Sequence, residues 1–261
     1  MHILELTKNG SFLDDKEEGW ASDVAPLLHQ IEVSFFEANV ALNLFERHTS
    51  TQDPFPTHEQ FRLKQKRRRE IGSIVRQEWA LDEYEDYMNV MFEVDVRLKR
   101  EEWQNGRYSN TLRIAEVFIY SKSFLYALDT IAKLLDVIHE VKKDYKKIKE
   151  LKERISTNFP TLKKIRDSAH HVEDRVRGLG RKNKGVHKRL ELQPIDNDFI
   201  KASGGALAIN NLNGTKFGTV MADGHYGEID VTIETLLIIQ SIVQETLDAF
   251  EWIGNKVHLP S

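Results

Sequence analysis

Apolar residues recur at three- and four-residue steps along most of the chain. In "PLLHQIEVSFFEANVALNLFERH", Leu27, Leu28, Ile31, Phe35, Ala38, Leu42 and Phe45 form one stripe, the mark of a helix with a core-facing side. The loop "TSTQDPFPTHEQ" follows, where Pro54 and Pro56 forbid helix continuation. A long segment from about His58 to Trp103 then carries Ile71, Ile74, Val75, Trp79, Tyr84, Met88, Met91, Phe92 and Val96 and is expected to be helical, with "NGRYSN" as its closing turn. The most apolar helix is expected from about Thr111 to His139, on a stripe that runs from Ile114 through Phe124, Leu128 and Leu135 to Ile138. "KKDYKKIKELKERI" continues as a nearly all-polar extension, either solvated or facing nucleic acid. Pro160 restarts the chain at a further helix, with Asn158 as its cap, over "KKIRDSAHHVEDRVRG" and ending at Gly178 or Gly180.

The period changes after Gly180. "GLGRKNKGVHKR" reads as a flexible basic loop. Then come "ALAINNL", an Asn-Gly turn, "TKFGTVM", the turn "ADGHYG" and a third strand over Glu228 to Ile233, the pattern of a small meander. A last helix is expected from about Glu234 to Trp252. The predicted fold is therefore mainly α. A helical bundle over about 21–177 and 234–254 carries a basic loop and an antiparallel β-meander at about 178–233, inserted before the last helix. Residues 1–261 read as one domain.

Composition removes several chemistries. The chain has no cysteine, so disulfides, thiolate metal sites and cysteine nucleophiles are excluded. Its first twenty residues lack a basic segment followed by an apolar run, and charge interrupts every apolar stretch before a membrane span's length. These features lead to the expectation of a cytoplasmic protein without membrane contact. The net charge is −4, but residues 142–189 hold 17 Lys and Arg against 6 Asp and Glu, a local +11. The remainder holds 20 against 35, or −15. Such a band attracts anions. The separate run "FRLKQKRRRE" reads as a solvated helix face, with Arg67, Arg68 and Arg69 as phosphate contacts only if it joins that band.

Inside the band lies "RDSAHH", Arg166 to His171. On one straight helix, residues four apart lie about 40° apart and residues five apart about 140°. Arg166 then shares a face with His170, while His171 shares one with Asp167 and is also within reach of Asp174. A carboxylate beside an imidazole fixes its tautomer and favours its protonated form. Arg166 and His171 would meet only at a bent helix start or across a two-fold axis. Ile165, Ala169, Val172 and Val176 make the apolar stripe that docks this helix. Charged pairs at these spacings also occur on any exposed helix and stabilise it weakly. No metal and no cofactor is expected. The two adjacent histidines point to different faces, the His-x-x-x-His spacing of zinc hydrolases is absent, and "GLGRKNKG" lacks phosphate-loop spacing.

The stretch Arg166 to His171 resembles the motif of HEPN-domain proteins: an arginine with a polar residue directly after it, and a histidine separated from the arginine by four to six residues. Asp167 takes the polar place, and four residues separate Arg166 from His171. The helical order is also similar to that family. The resemblance implies a metal-independent endoribonuclease acting as a homodimer in a toxin–antitoxin, phage-defence or RNA-processing setting, through a 2′,3′-cyclic phosphate. It implies that His171 moves protons, that Arg166 stabilises charge on the phosphorane, and that Asp167 orients one of them. Arg175, Arg177, Arg181, Lys182 and Lys184 would contact RNA phosphates, and an antitoxin or regulatory protein is a further expected partner. The alternative implied by the same resemblance is a non-catalytic helical module for RNA binding or protein assembly.

Overall fold

The computed structural model describes residues 1–16, 19–50, 57–183 and 185–261. Two short strands, β1 (Leu6–Lys8) and β2 (Phe12–Leu13), precede helix α1 (Ala21–Ser50). Helices α2 (His58–Trp79), α3 (Tyr87–Gln104), α4 (Asn110–Val141), α5 (Lys146–Asn158), α6 (Leu162–His170) and α7 (Val172–Val176) follow. Strands β3 (Leu179–Asn183), β4 (Val186–Arg189), β5 (Ile195–Asp196), β6 (Lys201–Ala202), β7 (Asn211–Asn213), β8 (Lys216–Val220) and β9 (Tyr226–Asp230) lead to α8 (Ile233–Asp248), and β10 (Trp252–Ile253) and β11 (Val257–Leu259) come last. The described residues are thus mainly helical, with antiparallel sheets of two or three strands. The chain divides into two compact units, residues 48–116 and the remainder.

The larger unit is built on α1, α4 and α8. The stripes expected on these helices are its core: Phe35, Leu42, Phe45, Phe124, Leu128, Leu135, Ile239, Val243 and Leu247 are all buried. The meander precedes α8 as expected, in the order β7-β8-β9, with Phe217 opposite both Leu212 and Ile229. It is a platform for α6. A Cβ added at Gly227 would stand 3.0 Å from Met221 Sδ and 3.1 Å from Ile165 Cγ1, so α6 can seat this closely only because position 227 has no side chain.

Several expectations are corrected here. The segment after α4 does not continue it. A turn at 142–145 separates α5, whose Ile148, Leu151 and Ile155 are buried, with the helix packed on α8. That three-residue stripe makes α5 a core helix on one face and not a solvated extension of α4. Lys147 and Arg154 clamp it to Glu245 of α8, each at 2.6 Å. Asn158 closes α5, donating to the Arg154 carbonyl at 2.8 Å, and does not cap α6. The basic stretch after Gly178 is a hairpin, β3–β4, instead of a loop. The last helix stops at Asp248, and Trp252 pairs with Leu13 in a ribbon.

The smaller unit holds α2 and α3. The expected single helix is broken where Ala80 and Asp86 take left-handed backbone, and the two helices fold onto each other. Ile71 and Val75 face Val90, Val94 and Leu98 in a small core. Two arginines of the run are paired here, and Arg69 is exposed. Arg67 holds Glu101 at 2.6 Å and Glu70 at 2.9 Å, and Arg68 holds Asp95 at 2.6 Å. Thr57 and Gln60 form a reciprocal capping box at the start of α2. Pro54 and Pro56 lie outside the described residues.

Candidate functional site

The expected single helix over 163–178 is two helices. α6 ends at His170, and His171 sits between it and α7 with φ −97° and ψ 49°. Its amide donates to the Asp167 carbonyl at 3.0 Å, while its own carbonyl receives the Asp174 amide at 3.2 Å. His171 therefore ends one helix and starts the next. The straight-helix geometry that put its side chain between Asp167 and Asp174 does not apply. The break also turns the apolar stripe: Ile165 and Ala169 remain buried, whereas Val172 and Val176 are exposed and Arg175 goes inside. No proline or glycine between 161 and 177 announces the break. The signal is Glu173 and Asp174, a first-turn acidic pair of the kind that marks a helix start.

Arg166 leans on α4. Its Nε lies 2.7 Å from Asp129 Oδ2, and its Nη1 lies 2.9 Å from Asp167 Oδ1. The Nε–H is not well aimed at the Asp129 oxygen, so this is an ion pair more than a directed hydrogen bond. Lys133 joins Asp129 at 2.8 Å, and the Asp129 side chain is only 6% exposed. The neighbouring Tyr126 hydroxyl has its pKa raised by burial, partly offset by the Arg166 charge. Asp167, the expected orienting residue, faces Arg166 and is half exposed.

His171 itself is exposed. Its Nδ1 lies 3.3 Å from Glu173 Oε1, and its ring meets His170 edge-on at 5.2 Å between centroids. The Glu173 carboxyl is held below its usual range by its own amide and then by His171. Asp174 looks elsewhere: Arg177 approaches it at 3.9 Å, and His187 of β4 at 3.7 Å.

Of the expected phosphate contacts, Arg175 is withdrawn. It is buried, donates from Nε to Ser168 Oγ at 3.2 Å and from Nη1 to the Leu179 carbonyl, and burial lowers its pKa. It fastens α6, α7 and β3 together. Arg177, Arg181 and Lys182 are exposed. Lys184 lies outside the described residues. Sequence reasoning passed over Lys188 and Arg189, which return along β4 beside Arg181 and Lys182. No ion pair links these four cations to another described residue, unlike Lys147, Lys152, Arg154 and Lys164, which are matched by acids. The positive band is thus largely neutralised in the helices and concentrated in the hairpin.

No family model, curated protein or solved structure matches the chain. Its chemistry has to be read from its own geometry.

An open cleft of about 680 Å³ runs along the hairpin, lined by residues 180–182, 188–191, 222 and 223. Gly180 forms its floor, where a Cβ would press on the Ala222 carbonyl at 3.0 Å. Gly224 takes φ +85°, and a side chain there would collide with the Glu191 carbonyl. These close approaches hold loop 221–224 against the hairpin. Lys164 of α6 grips Asp223 at the cleft edge at 2.9 Å. Burial pushes the Asp223 carboxyl up, but Lys164 and the His225 amide outweigh it and keep its pKa below the usual range. An anionic chain lying in this cleft would meet four cations, while the His187–Asp174 contact ties the hairpin to the turn bearing His171. Among the described residues, no helix is long and apolar enough to cross a membrane.

Proposed function

We propose that the protein is a HEPN-like, metal-independent endoribonuclease that works as a homodimer, with RNA lying over the β3–β4 hairpin. The observation that carries this reading is an exposed imidazole, His171, in a turn that meets the hairpin through the Asp174–His187 contact, with Arg181, Lys182, Lys188 and Arg189 in no ion pair with another described residue. Cleavage of RNA through a 2′,3′-cyclic phosphate needs a base for the 2′-hydroxyl proton and an acid for the departing 5′-oxygen. His171 performs one of these transfers, oriented by Glu173 at its Nδ1. The hairpin cations hold the phosphates. One imidazole makes one transfer, and a second copy related by a two-fold axis supplies the opposing proton-transfer group, while Arg166 is paired with Asp129 and Asp167 within its own chain. A toxin, defence or RNA-processing role, with an antitoxin or regulatory partner, belongs to this same reading.

The Arg166 pairing favours a second reading. An arginine whose Nε and Nη1 face two carboxylates anchors α6 to α4 and has its charge largely matched, as fits a non-catalytic RNA-binding or assembly module.

Labelled RNA incubated with the protein in chelator separates the two. The ribonuclease reading expects fragments ending in cyclic phosphate, and a loss of roughly 100-fold or more in His171→Ala. It also expects a Lys182→Ala/Lys188→Ala variant to bind RNA more weakly, with a shallower salt dependence. Binding without cleavage selects the second reading. Absence of both sinks the ribonuclease and the RNA-binding readings and leaves assembly, which a stable oligomer in sedimentation would show and a monomer would refute.

A further inference from the structure

The expectation that no metal binds here rested on His170 and His171 pointing to different faces of one helix. The break at His171 removes that objection for a different set of side chains. One ligand atom each from His171, Glu173 and Asp174 lies within 4.8 Å of the other two. We propose that His171, Glu173 and Asp174 form a binding site for a divalent transition-metal ion, zinc being the best chemical match, and that His187, outside this group but 3.7 Å from Asp174, swings in as the fourth ligand.

Ligands about 2.0–2.1 Å from a tetrahedral zinc stand about 3.3–3.4 Å from one another. His171 Nδ1 and Glu173 Oε1 are 3.3 Å apart, and His187 Nε2 and Asp174 Oδ1 are 3.7 Å apart. Both pairs are spaced close to two corners of such a tetrahedron. Asp174, with its side chain 18% exposed, is the member common to the three-residue group and to His187.

His187 supplies an independent observation. Its Nδ1 lies 3.3 Å from the Gly180 carbonyl. A carbonyl oxygen only accepts, so Nδ1 carries a proton, which leaves Nε2, the atom that faces Asp174, as the nitrogen that can exchange a proton for a metal ion. A ring N–H donated to a backbone carbonyl, with the other nitrogen turned to the site, is the usual support of a metal-binding histidine. The hairpin register that pairs Lys182 with His187 fixes this ring on β4, so the site joins the α6–α7 turn to β4.

The donor set decides the class of ion. Two imidazoles and two carboxylates suit zinc, cobalt or nickel, while calcium and magnesium prefer sets of oxygens alone. Two carboxylates balance the charge of one divalent ion with both imidazoles neutral. Arg177, 3.9 Å from Asp174, is the cation such an ion replaces at that carboxylate. Where the ribonuclease reading holds, a metal on His171 Nδ1 takes that imidazole out of proton transfer, so zinc switches cleavage off. The binding proposal itself does not depend on any activity.

The test is read without RNA. The full-length protein, stripped with chelator and dialysed, is titrated with Zn²⁺ by calorimetry. The expected result is one ion per chain, with affinity reduced by about tenfold or more in His171→Ala, in Asp174→Asn and in His187→Gln, each retaining the parent's circular dichroism. Co²⁺ should give the intense visible bands of a tetrahedral nitrogen–oxygen site, and excess Ca²⁺ should leave them in place. His171 is exposed, so its variant does not depend on core packing. The proposal is overturned by absence of saturable Zn²⁺ binding, by affinity unchanged in His171→Ala and Asp174→Asn, or by displacement of Co²⁺ by Ca²⁺. None of these outcomes bears on whether the protein cuts RNA in chelator.

Discussion

Arg175 and Arg177 stand two positions apart with the same side chain, and the fold uses them in opposite ways. Arg175 is buried and donates to Ser168 Oγ and the Leu179 carbonyl, while Arg177 is exposed beside Asp174. Removing Arg175 leaves two acceptors without a donor and opens the joint between α6, α7 and β3. Arg175→Ala is expected to lower unfolding stability by about 2–3 kcal/mol, and Arg177→Ala by about 0.5 kcal/mol or less. Urea denaturation of both variants checks the contrast; equal effects would mean that the buried guanidinium contributes nothing. The resemblance and the local positive charge assign both arginines to RNA, and neither reports which of them turns inward. The break at His171 changes which face is inside, and Arg166 shows the other limit. Its partner Asp129 lies on α4, at a sequence distance that no periodicity can reveal.

At the scale of elements, α5 shows how a strongly charged helix belongs to a core. Three apolar side chains face α8, and Glu245 receives Lys147 and Arg154 at the rim. These hydrogen bonds lower the Glu245 carboxyl from 4.5 to about 2. Because the folded value lies below the unfolded one, this stabilisation is fully present above pH 4.5 and is lost as the pH falls from 4.5 towards 2. Glu245→Gln is accordingly expected to be less stable than the parent at neutral pH, by no more than about 1 kcal/mol given the exposure of the pair. The difference should close below pH 4.5. Parallel thermal melts from pH 7 to pH 2 would show this, and a gap that persists at pH 2 would rule the charge effect out. The stripe Ile148, Leu151 and Ile155 was visible in the sequence, but the surrounding lysines obscured it. The long stripes of α1, α4 and α8 and the Asn-Gly hairpin were legible, because each is a local pattern repeated over enough residues to outweigh its interruptions.

For the molecule as a whole, the least legible feature is how its ends are joined. β1 pairs with β11, Leu6 opposite Leu259, and β2 pairs with β10. These strands have two or three residues each, too few for any period to show. Side chains complete the seam: Gln244 receives the Thr7 amide at 2.9 Å and donates to the Thr7 carbonyl at 2.8 Å, and Lys8 reaches Glu32 of α1 at 3.1 Å. Leu6 is buried against the main core, so Leu6→Ala should cost about 2–4 kcal/mol, measurable as a lower urea midpoint with an unchanged slope. A cost below about 0.5 kcal/mol would show that the seam is decorative.

That seam has a consequence for how the chain is made. A ribosome adding about 5–20 residues per second releases Leu6 on the order of ten to fifty seconds before Leu259 exists to pair with it. Residues 48–116 form a contiguous unit and can close as they emerge, whereas the larger unit is assembled from two stretches on either side of them. β1 and β2 cannot pair until β10 and β11 have been made. Leu6 and Leu13 spend that interval without their strand partners Leu259 and Trp252, so the larger unit is expected to complete its fold late.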